Sequence, residues 1–230
     1  MKISTITIND IAYDYVSVNT VIVGTGAAGF NAADSLFDLG QKDICIVKKK
    51  KKMGTSRNTG SDKQTYYKLT LAGDGSDSVH EMAKTLFNGG SMHGDIALTE
   101  AALSAKGFYK LASIGVPFPH NKYGEYVGYK TDHDPRQRAT SAGPLTSKFM
   151  TEKLEIQVQN KKIMIFDGFY VIGILQDKGS AYGLVAINAN KVNEENFGIT
   201  VFNCTNIIYA TGGPAGIYDT SVYPISHTGS

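Results

Sequence analysis

The sequence predicts an α/β fold with a Rossmann-like three-layer arrangement, a central parallel sheet and a β-meander. Three observations predict it. An apolar run, Val21-Ile22-Val23, enters the glycine turn Gly24-Thr25-Gly26-Ala27-Ala28-Gly29, and a helical pattern follows at once. A second apolar run, Ile44-Cys45-Ile46-Val47, arrives one helix later and closes a βαβ unit over residues 19–47. Further on, three β-rich runs lead to Ile207-Ile208-Tyr209, which breaks into Ala210-Thr211-Gly212-Gly213.

In the first turn each glycine has a mechanical role. Gly24 permits the sharp bend, Gly26 lets backbone approach a pyrophosphate, and Gly29 lets the helix lie close to the strand. The helix aims its free N–H groups and positive dipole end at phosphate. A dinucleotide is therefore the expected ligand.

Composition bounds the rest. With 42% hydrophobic and 19% charged residues, the 230-residue chain reads as one globular domain, or a domain and a part, rather than a disordered polymer. A net charge of +2 gives no reason to expect nucleic acid as a partner. Cys45 and Cys204 lie in apolar runs, which predicts buried reduced thiols and a cytoplasmic setting. No apolar stretch approaches the ~20 residues of a membrane span, and the first residues carry no signal-like apolar region.

Taken in order, residues 1–18 alternate apolar and polar, as in a short strand or extended arm. The first helix repeats Ala28, Ala32, Ala33, Leu36 and Leu39 and stops at Gly40. Where nicotinamide-binding proteins end the second strand on an acid, Lys48 to Lys52 are all lysine. Three readings compete: a solvated basic loop, a loop touching phosphate, or a homopolymer that is not native. The polar loop Gly54 to Lys68 suits a functional connection as well as a plain surface one.

Ser78 and Glu81 form a capping box before a helix to about residue 88, with His80 a first-turn surface residue. A longer helix starts at Asp95, with Leu98, Ala101, Ala105, Phe108 and Ala112 as its apolar face, and ends at Gly115 and Pro117. Residues 116–144 are irregular and hold His120, His133, Arg136 and Arg138, which either face an acidic ligand or serve as solvated and structural side chains. Pro144 opens a helix to about residue 160. A strand at 163–166 precedes meander strands at 169–175, 182–188 and 199–202, the first two joined through Asp177-Lys178-Gly179-Ser180.

Three motifs together, GTGAAG, Ser56-Arg57-Asn58-Thr59-Gly60 and Ala210-Thr211-Gly212-Gly213, resemble the flavoprotein subunit family of succinate dehydrogenase and fumarate reductase, which includes L-aspartate oxidase. The resemblance runs from about Thr20 to Ser230. His227-Thr228-Gly229-Ser230 looks like the family's TGDG stretch, and GVPF at 115–118 with HDPRQR at 133–138 looks like its substrate-side loop.

The resemblance implies an FAD-binding domain over 1–230 and FAD as cofactor. Gly24, Thr25, Gly26, Ala28 and Gly29 would line the pyrophosphate, and Lys48 and Lys49 the adenosine ribose. Ser56, Asn58, Thr59 and Gly60 would approach the isoalloxazine. Tyr170 and Val171 would meet adenine through backbone, and Ala210, Thr211 and Gly212 would flank diphosphate and flavin. Respiratory members attach FAD through a histidine; Asn58 stands at that position, so FAD is expected to be non-covalent. Hydride exchange with a saturated or unsaturated carboxylate is the implied reaction, with no electron donor named. The family's cap, substrate histidines and proton-donating arginine would lie beyond Ser230. The chain thus reads as an N-terminal portion without turnover of its own, and no catalytic residue or metal ligand is assigned. Two other readings stay open: an NADP-dependent dehydrogenase whose lysines pair with a 2′-phosphate, and a non-catalytic nucleotide-binding module that needs a partner chain.

Overall fold

The computed structural model describes residues 1–50, 52–73, 75–131, 134–223 and 227–228. Lys51, His133, Gly229 and Ser230, each part of a sequence motif above, lie outside them. In chain order the first elements are β1 (Lys2–Ile8), β2 (Ile11–Val23), α1 (Ala27–Asp38), β3 (Ile44–Lys48), α2 (Thr55–Asn58), β4 (Tyr66–Tyr67), α3 (Val79–Asn88) and α4 (Gly94–Ser113). Then come β5 (Ala139–Thr140), α5 (Thr146–Asn160), β6 (Met164–Asp167), β7 (Phe169–Asp177), β8 (Ser180–Asn188) and β9 (Ile199–Tyr209). The chain divides into two compact units, Met1–Thr59 with Leu154–Ser230, and Gly60–Lys153.

In the first unit, seven strands among the described residues form one sheet in the order β6-β3-β2-β9-β8-β7, with β1 beside β2. Strands β6, β3, β2 and β9 run parallel, while β1, β8 and β7 are antiparallel to their neighbours. The fold is thus the expected α/β type with a mixed sheet. Residues 1–18 are a hairpin rather than a loose arm. Asn9 and Asp10 turn it with φ of 50° and 66°, a left-handed pair that these two residue types tolerate.

The two runs 199–202 and 207–209, predicted as separate strands, are one continuous β9. It pairs with β8 over Ile199–Asn203 and with β2 from Asp14↔Thr200 to Val23↔Tyr209. The hydrophobic core lies on these strands, through Val16, Val21, Val23, Cys45, Val47, Leu184 and Phe202. Each such side chain contributes roughly 1.5–3 kcal/mol by leaving water. Phe202 meets Phe166 and Phe169 edge-on, at centroid distances of 5.1 and 6.0 Å.

Helix α1 ends as its sequence predicts. Gly40, at φ 95°, lets its own N–H reach Phe37 O and lets Gln41 N–H reach Leu36 O, closing both last carbonyls. Just past α5, Lys161 Nζ donates to Asp34 Oδ1 at 2.5 Å and Asp38 Oδ1 at 2.6 Å, anchoring the far end of α1.

In the second unit, Ser78 Oγ caps α3 by accepting from Glu81 N at 3.1 Å. The reciprocal half of the capping box does not form. The Glu81 carboxylate turns to Arg136, and Ser78 N–H goes to Asp77. Helix α4 buries Ala97, Ala101, Ser104, Phe108 and Leu111. That face is rotated from the predicted one, and Leu98 is 40% exposed. Phe108 is the centre of an aromatic cluster with Tyr66, Phe118 and Tyr126.

Candidate functional site

A cavity of about 800 Å³ opens in the first unit where β2, β3 and β9 end and α1 begins. Sites at the carboxyl ends of parallel strands, beside a helix N-terminus, are where open α/β sheets take ligands. Two backbone bonds hold the wall together. Gly24 N–H donates to Val47 O at 2.9 Å, and Ala210 N–H donates to Val23 O at 2.8 Å. The two glycine turns, far apart in sequence, are thereby fixed side by side.

The three glycines of the first turn differ in what surrounds them. Gly24 sits at φ 112°, and a Cβ there would overlap the Ala210 carbonyl oxygen. At Gly29 a Cβ would overlap Gly24 O. Both are glycine because backbone lies against them. Gly26 has an ordinary φ of −78°, and a Cβ there would touch only Ser56 Oγ at 3.4 Å. Protein leaves that side open towards the cavity, as a closely approaching pyrophosphate requires. Helix α1 has no acidic residue in its first turn, so its N-terminal field is uncompensated.

Twelve of the expected residues line this cavity: Gly24, Thr25, Gly26, Ala28, Lys48, Lys49, Ser56, Tyr170, Val171, Ala210, Thr211 and Gly212. Four others lie elsewhere. Gly29 sits beneath the turn. The Asn58 side chain folds back, its amide donating to Lys52 O and Gly54 O at 2.9 Å each. Thr59 Oγ1 donates to Thr55 O at 2.8 Å. Gly60 begins the second unit, where a Cβ would press on Pro144 O at 2.8 Å.

The sequence reading missed several lining residues: Lys50, Met53, Phe169, Tyr218, Tyr223 and His227. His227 Nε2 accepts the Gly213 N–H at 2.8 Å, so the turn after β9 is braced by a side chain fourteen residues on. Its place in the HTGS stretch was the available signal.

At the other end of the cavity, the Lys48 side chain is only 7% exposed, with Nζ 3.7 Å from Asp167 Oδ2. Lys49 Nζ stands 5.0 Å over the Tyr170 ring. These two lysines are thus placed against the cavity rather than free in a solvated loop.

The arginines read as possible ligand partners are engaged within the second unit. Arg136 makes a two-point contact with Glu81, Nε to Oε1 at 2.7 Å and Nη2 to Oε2 at 3.1 Å. Arg138 is fully buried and bonded to Asp77, Asp134, Thr85 and Tyr67. Both are structural: carboxylates of this chain already occupy the forks that would take a ligand. His120 is exposed, with Nδ1 against Asn121 O at 3.0 Å.

Both cysteines are buried and reduced. Burial, and next the neighbouring Cys204, push the Cys45 thiol up to about 12, and burial raises Cys204 as well. Among the described residues no group of three or more His, Cys, Asp or Glu is placed to hold a metal, and no helix is long and apolar enough to cross a membrane.

The cavity volume falls within the ~300–1,000 Å³ usual for cofactor sites, and its glycine cradle and helix end suit a diphosphate. Fold and site define a class, the dinucleotide-binding α/β proteins that lay a cofactor across the ends of their parallel strands. Residues 19–230 match the FAD binding domain family, and the chain belongs to it. Its cofactor is FAD, held non-covalently.

The chain is 26% identical over 212 residues to an L-aspartate oxidase of Xylella fastidiosa (strain 9a5c), covering 91% of this chain and 39% of the relative. It is 24% identical over 221 residues to a succinate dehydrogenase flavoprotein subunit of Rickettsia bellii (strain RML369-C), covering 92% and 36%. The solved E. coli quinol fumarate reductase FrdA shares the fold with a TM-score of 0.74 at 22% identity, over 92% of this chain and 35% of that one. The chain therefore spans under two-fifths of the length of these relatives.

Proposed function

We propose that residues 1–230 are the FAD-binding domain of an oxidoreductase that moves a hydride between flavin and a small carboxylate, saturated on one side of the reaction and α,β-unsaturated on the other. The observation that carries this reading is the open side of Gly26 at the start of α1, on a cavity that the turn after β9 also lines. When bound, FAD supplies the redox chemistry.

The chain's own residues position it. Gly24, Thr25, Gly26 and Ala28, with Gly29 supporting them, receive the pyrophosphate at the α1 N-terminus. Lys48 and Lys49 flank the ribose, and the Tyr170–Val171 backbone borders the adenine. Ala210, Thr211 and Gly212 border the diphosphate on its flavin side. Ser56, on the cavity wall, would approach the ring, while the Asn58 amide closes its own loop. Asparagine has no nucleophilic ring nitrogen, which supports non-covalent attachment. The carboxylate substrate class rests on the likeness to L-aspartate oxidase and succinate dehydrogenase flavoproteins. No residue of this chain is assigned as proton donor. A cytoplasmic setting is supported by two buried free thiols.

Purified chain titrated with FAD should quench flavin fluorescence, and acid precipitation of the complex should leave the yellow colour in the supernatant. Binding of nicotinamide nucleotide in preference to flavin would overturn the cofactor assignment; flavin pelleting with the polypeptide would overturn non-covalent attachment.

A further inference from the structure

The turn after β9 leaves the sheet at Ala210 and borders the cavity through Thr211, Gly212 and Gly213. His227 clasps it at two points. The ring Nε2 accepts the Gly213 N–H at 2.8 Å, and the His227 carbonyl oxygen accepts the Gly216 N–H at 2.6 Å. Gly212, at φ 82°, lies against the ring, and a Cβ there would stand 2.7 Å from Nε2. A peptide N–H can only donate, so Nε2 must carry a lone pair and the ring proton must sit on Nδ1. Nδ1 is buried without a partner among the described residues. The imidazole therefore works as a clasp in one of its three forms. The other tautomer and the doubly protonated ring each carry a proton on Nε2, which sets one donor against another.

We propose that His227 is a pH-sensitive positioning residue for the cofactor: neutral, it holds the Gly212–Gly213 turn against the cavity; protonated, it releases that turn, and FAD is bound less tightly. The inference rests on reading this cavity as the FAD site. His227 acts through the Gly213 amide. The titratable groups around the ring are the phenol of Tyr223, with ring centroids 5.6 Å apart, and that of Tyr218 on the same cavity; Lys48, Lys49 and Lys50 line its far end. No carboxylate lines the cavity among the described residues, so none is there to hold a second proton on the imidazole. Imidazole is the side chain whose charge ordinarily changes between about pH 5 and 8. The chain's other histidines, His80, His93, His120 and His133, all fall within residues 60–153, in the second unit.

Quenching of flavin fluorescence measures FAD affinity of the full chain at about pH 8 and about pH 5.5. The parent should bind roughly tenfold more weakly at the lower pH, the effect of one hydrogen bond lost with its donor left unpaired. His227→Gln keeps a carbonyl acceptor that cannot gain a proton, and its affinity should change less than about twofold over the same range. His227→Leu has no acceptor and should bind at the higher pH about as weakly as the parent does at the lower. A histidine that merely filled space would leave all three profiles parallel. Parallel profiles overturn the proposal, as does tighter binding by the parent in acid, the result expected if a cation here simply attracted the diphosphate. The cofactor-free chain supplies a second reading. Long-range proton–nitrogen correlation spectra should show His227 as the Nδ1–H tautomer at the higher pH, with the Gly213 amide resonance moving as the ring titrates. An Nε2–H tautomer, or a Gly213 amide indifferent to pH, overturns the proposal. Failure of the parent to bind FAD at the higher pH refutes the cofactor reading, and the spectra still decide whether His227 clasps the turn.

Discussion

Arg138 and Asp77 face each other in the interior of the second unit, Nε to Oδ2 at 2.9 Å and Nη2 to Oδ1 at 2.7 Å, with side chains 0% and 2% exposed. Removing Asp77 takes the two-point partner from the buried guanidinium and leaves it the single contact with Asp134, which costs on the order of 3 kcal/mol. Asp77→Ala should therefore destabilise the chain by that order. Chemical denaturation followed by circular dichroism measures it, and a change under about 1 kcal/mol would contradict the buried pairing.

The same pair predicts acid sensitivity. Burial alone would raise the Asp77 carboxyl, but hydrogen bonds from Arg138 and from the Thr70 and Ser78 N–H groups outweigh it and bring it from 3.8 down to about 2. The native state favours the ionised form. This stabilisation is complete above the unfolded value of 3.8 and disappears as pH falls through about 2. It amounts to on the order of 2 kcal/mol. Stability measured across this window should fall more steeply in the parent chain than in Asp77→Asn.

Gly24 and Gly26, two residues apart, should respond differently to substitution. Gly24→Ala puts a side chain at φ 112° against the Ala210 carbonyl, so it should lose more than about 2 kcal/mol of stability. Gly26→Val meets only the Ser56 hydroxyl at the cavity edge and should fold within about 1 kcal/mol of the parent while losing FAD. Thermal unfolding paired with flavin fluorescence separates the two; Gly26→Val with full flavin affinity would displace the pyrophosphate from this turn.

Lys68 is fully buried in the second unit, its Nζ 4.8 Å from the Phe108 ring centroid and without a hydrogen-bond partner among the described residues. Burial lowers its pKa from the ordinary 10.5, so the unfolded chain takes up this proton more readily than the folded one. The penalty is absent at pH above 10.5 and grows as pH falls below it. Lys68→Met should accordingly stabilise the chain at pH 7 by about 1–3 kcal/mol. The gain should shrink in urea titrations repeated towards pH 10.5.

Cys45 and Cys204 should not react with a disulfide reagent at pH 8 in the native chain, since burial keeps both protonated and covered. Both should label on unfolding, with a rate that tracks global opening. Rapid native labelling of either would show that the strand pair β2–β3 or β2–β9 opens locally.

What was legible in the sequence was what local chemistry dictates. The β2–α1–β3 unit announces itself through Gly24, Gly29 and Gly40, whose backbone demands leave little choice. The Lys178-Gly179 turn and the Ser78 cap are local in the same sense. What was missed depends on partners distant in sequence. Asn203-Cys204-Thr205-Asn206 interrupts the apolar pattern of β9 and read as a break, yet β2 supplies hydrogen bonds along its whole length. Arg138 left two readings open, a partner for an acidic ligand or a structural side chain, and only the fold brings Asp77 and Asp134 to it. Leu98 was given to the α4 core on apolarity, whereas the close neighbours of that helix select the smaller Ala97 and Ser104. Within the candidate site, the glycine turns were readable, but the pairing of Lys48 with Asp167 became visible only through the lateral register of β6 on β3.

The pairing of β2 with β9 sets an order of assembly. β2 is synthesised long before β9, and one of its edges pairs with that strand, which ends at Tyr209. Until that strand arrives, the newborn chain exposes Val16, Val21 and Val23 along an unpaired edge, the kind of surface that invites aggregation. The cofactor cradle needs Ala210 beside Gly24, so it cannot exist before then. A chain of this design folds slowly because its decisive contact is so remote in sequence, and holdase chaperones have their natural window between synthesis of β2 and docking of β9.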